Sequence, residues 1–154
     1  MRKLLFVFAV LFYNAVFAQN VKVEVNGLYV GVKYSKEQIF QAFGAQPTKI
    51  RDPQPMDEEP NTYIFYFGED VVEWVDGFID RFVLTTSKYS FNDIIQVGDS
   101  ISKIAELGGI ATYDNENEVY WKPTTDPKLN EFWDIWIVHK NGIITKMFIG
   151  AITL

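Results

Sequence analysis

Cysteine is absent from the 154-residue chain, and histidine occurs once, as His139. With no thiol there is no disulfide, no thiolate nucleophile and no sulfur ligand for a metal. A lone imidazole lacks the second ring or the thiol partner that a zinc site or a nucleophilic dyad requires. His139 therefore reads as a structural or surface residue. The chain also lacks a Gly-x-Ser-x-Gly elbow, a P-loop and a dinucleotide-binding glycine turn. "GLYVGV" at 27–32 offers two glycines without the third and without the helix placement. Lys and Arg form no run, and the formal charge is −6. An acidic chain repels phosphate backbones, which argues against nucleic acid as a partner. Together these absences describe a protein that is not an enzyme and carries no cofactor and no metal.

The one long uncharged apolar run lies at the N-terminus. "MRKLLFVFAVLFYNAVFAQN" places Arg2 and Lys3 before an apolar stretch from Leu4 to Tyr13, then Val16 and Ala18 before Gln19. Charge, apolar core and compact residues in that order form a secretory signal, expected over residues 1–18. The run is shorter than the ~20 apolar residues that span a bilayer, so no stable membrane anchor is expected. Removal of Arg2 and Lys3 would take the charge to −8. The expected location is exported, either periplasmic or extracellular, with stability resting on the core because disulfides are missing. Aromatic residues make up 16% of the chain, which favours a packed body over disorder.

Two stretches after the leader resemble each other. "DGFIDRFVL" (76–84) and "NGIITKMFI" (141–149) both begin with a turn dipeptide, and Gly77 to Gly142 is a step of 65 residues. The same step carries Val32, Ser35, Ile39 and Gly44 onto Val97, Ser100, Ile104 and Gly109. Ser35 and Gln38 form a capping box for a short helix near 35–43, and Asp99 or Ser100 caps another near 100–108. Strands are expected at 62–67, 71–75, 78–86, 118–122, 132–140 and 143–152, with an extra one at 21–25. Asp76-Gly77 and Asn141-Gly142 signal two-residue hairpins, because both turn positions need positive φ. The expected class is α+β: two tandem repeats of a short helix followed by an antiparallel β-meander, packed as one body. The first repeat covers 19–91 and the second 92–154. A unit of that size is marginal alone, so two would share a core.

Helix followed by meander, given twice, resembles the β-lactamase inhibitory protein family. The single unit also resembles the small outer-membrane lipoproteins that support barrel assembly. The residues that carry the likeness are "FGAQP" (43–47) after the first helix and the two hairpin dipeptides with apolar strands behind them. The second copy has "LGG" (107–109) without the proline, and the disulfides and the lipidated cysteine of those families are missing. The resemblance implies a fold and a habit of binding proteins on a sheet face or loops. It transfers no inhibitory residue.

Carboxylates cluster at 56–60 and at Asp114, Glu116 and Glu118. Alternation on a strand would set the latter three on one side, a calcium possibility, but EF-hand spacing is absent and a solvated turn is the better reading. A two-residue Asp76-Gly77 loop would set Glu73 opposite Asp80, an acid/base pair in form, though without a third group or a cleft. Aromatic residues are the remaining signal. Trp74, Tyr120, Trp121, Trp133 and Trp136 fall in expected strands and are the candidate partner-binding residues, since Trp and Tyr concentrate at binding hot spots. The expected function is that of an exported, non-enzymatic protein-binding module, inhibitor-like or an envelope accessory, whose partner is another protein. The alternative is a binder of a small lipid or glycan ligand in the cell envelope. An open aromatic face favours the first and an enclosed pocket the second.

Overall fold

The computed structural model describes residues 22–52, 62–124 and 131–151. Four strands of two residues each come from the ends of the first half: β1 (Glu24–Val25), β2 (Leu28–Tyr29), β7 (Ser90–Phe91) and β8 (Ile95–Gln96). They pair in the order β2-β1-β7-β8. Eight others form a second, larger sheet: β3 (Lys49–Arg51), β4 (Thr62–Phe67), β5 (Asp70–Val75), β6 (Phe78–Leu84), β9 (Ile110–Asn115), β10 (Glu118–Lys122), β11 (Trp133–Lys140) and β12 (Ile143–Ala151). Its order is β3-β4-β5-β6-β12-β11-β10-β9. Every ladder in both sheets is antiparallel.

Turn chemistry fixes the registers. Asp76 and Gly77 have φ of 51° and 92°, and Asn141 and Gly142 have 53° and 77°. These are type I′ values, whose twist matches that of the flanking strands. Val75 accordingly faces Phe78, and Lys140 faces Ile143. Both hairpins that were expected at these dipeptides are present.

The expected α+β class is overturned. The fold is β-rich, with two antiparallel sheets and two short helical segments among the described residues. The first is α1 (Lys36–Ala42), seven residues long and closed by the Ser35–Gln38 capping box. The second, Ile101–Leu107, is a 3-10 segment capped by Ser100. The β1, β2, β7 and β8 strands build a sheet that a helix-plus-meander repeat does not contain. The physical reason is composition: β-branched and aromatic residues dominate the strand segments, and neither helical stripe is long enough to form a layer.

The core lies on one face of the large sheet. Phe65, Phe67, Val72, Phe82, Leu84, Met147, Ile149, Ile135, Ile137, Val119 and Trp121 alternate inward and are buried. From α1, Phe43 stacks on Phe67 at 4.5 Å and Phe40 meets Phe65 edge-on at 5.3 Å. From the small sheet, Phe91 meets Trp121 edge-on at 5.4 Å. Asn92 ties the small sheet together, accepting from the Glu24 amide and donating to the Lys22 carbonyl. Asp70 is fully buried, and its carboxylate accepts from the Thr85 and Thr86 amides and the Thr86 hydroxyl. A buried charge so satisfied fastens the end of β6 to the β4–β5 hairpin.

Candidate functional site

Two surfaces gather the chain's remaining aromatic and polar groups. The first is the outer face of the large sheet. Cross-strand pairing lines up Lys49, Tyr66, Val71, Val83, Phe148, Trp136, Tyr120 and Thr112, one from each of the eight strands. The six inner members of that row are half-buried. Trp136 lies 4.6 Å from Phe148 and 6.0 Å from Tyr120, ring centre to ring centre. The Lys146 ammonium sits 4.6 Å over Phe148, and Lys49 sits 5.3 Å over Tyr66. These rings touch one another and the stems of lysines, so each shields its neighbour from water without being enclosed. Beside the row, Arg81 and Asp134 approach to 3.6 Å across Gly150. Burial beside Tyr120, with Glu118, Asp114 and Asp134 nearby, pushes its phenol upward.

The second surface is a cleft of about 790 Å³ at the corner where α1 meets the β5–β6 hairpin. Lys33, Tyr34, Ser35, Lys36, Tyr63 and Trp74 line it, with Glu37, Gln38, Asp76 and Gly77. Tyr63 and Trp74 pair across β4 and β5, with ring centres 5.5 Å apart and planes tilted by 58°. The indole N–H donates to the Tyr34 carbonyl at 2.9 Å, which locks the ring orientation. The Lys36 ammonium sits 3.6 Å over the Tyr63 ring and 5.5 Å from that of Trp74. Gly77 lets the Lys33 stem lie across the turn: a Cβ there would come within 2.8 Å of the Lys33 Cε.

A matching corner exists at the other hairpin. The Gly31 amide donates to the Ile79 carbonyl, Tyr34 to Gly77, and Ile79 back to Val32. Gly98, Ile101 and Ile144 make the same three bonds to Ile144, Gly142 and Asp99. The Lys33–Phe78 bridge is likewise answered by Ser100–Ile143. The hairpins correspond at a step of 65, but the chain leading into each helical segment corresponds at 67. By position, Lys36 answers to Lys103, and Trp74 to His139. Lys103 is neutralised by Asp99 at 3.1 Å. The buried Nδ1 of His139 has no hydrogen-bond partner.

The five residues marked as partner-binding divide between the faces. Tyr120 and Trp136 lie on the outer row. Trp121 is 2% exposed and donates its indole N–H to the Gly108 carbonyl, so it is core. Trp74 and Trp133 are half-buried on the inner side, packed against the core. Sequence reasoning passed over Phe148, Lys33 and Lys36 as site residues. Strict alternation counted outward from Asn141-Gly142 would have set Trp136 opposite Met147; the register shift between Val138 and His139 brings it opposite Phe148 instead.

The expected Glu73–Asp80 pair does not form. The register shifts between Glu73 and Trp74, so Glu73 faces Arg81 and Asp80 becomes the extra residue of a bulge. The Glu73 carboxyl is raised mainly by burial; Arg81 opposes this and Asp80 adds to it. Nor do the three carboxylates at 114–118 share one side of a strand. β9 ends at Asn115, Glu116 lies in the turn, and Glu118 opens β10, accepting from the Asn115 amide at 2.8 Å. Among the described residues, no three His, Asp or Glu groups are placed to hold a metal ion. The acidic stretch 56–60 and the leader 1–18 lie outside the described residues. No described helix is long and apolar enough to cross a membrane. Compared with protein-family models, curated proteins and solved structures, the chain matches none.

Proposed function

We propose that this is an exported, non-enzymatic protein-binding module that receives its partner on the outer face of the large sheet. The aromatic row from Tyr66 to Tyr120 supports this reading. Eight strands spaced at ~4.8 Å give the row a span of roughly 34 Å. That is the width of a protein interface, which takes about 800 Å² from each side. The row has the composition of such a patch: a Trp–Phe–Tyr centre with arginine and lysine at its margins. Trp136 and Tyr120 are the anchors, and Arg81 with Asp134 forms the polar border.

The experiment is affinity capture from envelope and culture-medium fractions with wild type, Trp136→Ala and Tyr66→Ala. A defined protein held by the wild type and lost from both variants, with unchanged circular dichroism, carries the proposal. Equal retention by the variants moves the interface off this face and overturns it.

A further inference from the structure

The corner cleft is a separate matter from the outer face, and its chemistry is more specific. Lys22 pairs with Glu24 at 2.6 Å and Lys103 with Asp99. Lys33 and Lys36 form no such ion pair among the described residues; each ammonium rests against a ring, Phe78 at 5.7 Å and Tyr63 at 3.6 Å, while Glu37, whose carboxyl is lowered first by hydrogen bonds and further by the Lys36 charge, and Asp76 line the same cleft. A cation held only by an exposed ring is held by about 0.5–1 kcal/mol. Turning it toward a ligand carboxylate therefore costs little.

We infer that this cleft binds an acidic saccharide, a short chain of sugar rings bearing a carboxylate. Lys33 and Lys36 take the carboxylate. The angled Tyr63–Trp74 platform takes the C–H face of a ring. The volume of about 790 Å³ falls in the range of small-molecule sites and exceeds what one ring fills. Two other ligand classes fit less well. A flat base needs parallel walls, and the 58° tilt between the rings provides none. A lipid tail needs apolar walls, and beyond the two rings the lining is polar and charged.

The opposite corner is the internal control. It has the same backbone frame, but its lysine is already paired and its aromatic position is His139. The site should therefore exist once in the molecule.

The test is titration of the full exported chain with trigalacturonate, maltotriose, AMP and inorganic sulfate, followed by calorimetry and amide NMR shifts. Saturable binding of trigalacturonate is expected, with maltotriose, AMP and sulfate each weaker by about tenfold or more. The double variant Lys33→Ala/Lys36→Ala should lose about tenfold or more in affinity, and Lys103→Ala should lose none. Shifts should centre on Tyr34, Tyr63 and Trp74. The inference is overturned by no saturation up to about 10 mM, by equal or tighter binding of any of the three comparison probes, or by full affinity in the double variant. Trp136→Ala should bind trigalacturonate normally, so failure here leaves the outer-face reading standing and the reverse also holds.

Discussion

The two hairpin corners share a backbone and differ in almost every side chain that could do something. Each has a type I′ turn, a bulge three residues after the turn glycine, and three backbone bonds to the incoming chain. In one, tryptophan closes the corner with a hydrogen bond to Tyr34, and the lysine beside it lies over rings without an ion pair at contact distance. In the other, histidine occupies the tryptophan position with an unmatched buried nitrogen, and the lysine is spent on Asp99. The backbone frame is thus a support that turn residues secure. What the frame can hold is decided by which charges are already satisfied locally.

Substitution can break this contrast. Trp74→Ala should cost the most, about 2–3 kcal/mol, because a half-buried ring and its hydrogen bond are lost together. His139→Leu should instead be neutral or stabilising by up to ~1 kcal/mol, since a buried unmatched nitrogen is removed. Urea unfolding of both variants checks the pair, and a larger loss at His139 would dismiss the asymmetry.

Next are the turns. Gly77 and Gly142 both hold positive φ, so alanine at either should cost about 1–2 kcal/mol through backbone strain alone. Gly77→Ala must also push the flexible Lys33 stem aside, whereas nothing lies within 4 Å at Gly142. Thermal melts should therefore give similar losses, while only Gly77→Ala disturbs the cleft resonances.

A smaller effect separates the bulges, where Glu73 occupies the place that Val138 fills in the other hairpin. The folded state raises the Glu73 pKa from its ordinary 4.5, so it favours the protonated form. The associated stability is fully present below pH 4.5 and is lost as pH rises through the elevated value. Glu73→Gln should thus stabilise the protein at pH 7 by less than ~1 kcal/mol, because the group is partly exposed and screened. That gain should vanish when unfolding is measured near pH 4. A gain that persists there would mean burial is not its source.

The smallest effect lies in the lysines. Lys103→Ala should cost about 0.3–0.5 kcal/mol at low salt and nearly nothing at high salt, as an exposed pair of this spacing does. Lys36→Ala should show no salt-dependent loss of stability. Stability curves at two ionic strengths decide it.

Much of the large sheet was legible. Asp76-Gly77 and Asn141-Gly142 set their hairpins unaided, because few residue pairs tolerate two positive φ values. Six strands stood out from β-branched and aromatic runs, and Ser35 with Gln38 marked the start of α1. The small sheet was hidden. Its strands have two residues each, too few for a period to register, and 21–25 reads as one strand where only Glu24–Val25 pairs. β3, three residues long, is likewise too short for a period to register. The bulge at Asp80 depends on contacts between strands that local pattern does not encode, and it undid the Glu73–Asp80 pairing. The site was half legible: strands apolar on both sides name the aromatics but not their faces, so Trp121 and Trp136 looked alike. Lys33 and Lys36 stood out only once the cleft that they line could be seen in three dimensions.

The strand order of the large sheet has a consequence for how the chain folds. Within each half, neighbours in the sheet are neighbours in sequence, and short turns join most of them. The β6–β12 junction is different: Leu84 pairs with Met147 across the whole second half of the sheet. Hairpins close on the microsecond scale, whereas a contact that must close a loop of this length starts with a larger entropy deficit. Phe82 and Ile149, opposed at that junction and both fully buried, therefore come together late. Until they do, two curled ribbons exist, each with an open apolar edge. Production of this protein thus turns on how quickly one seam closes, and crowding would act on that interval before any other.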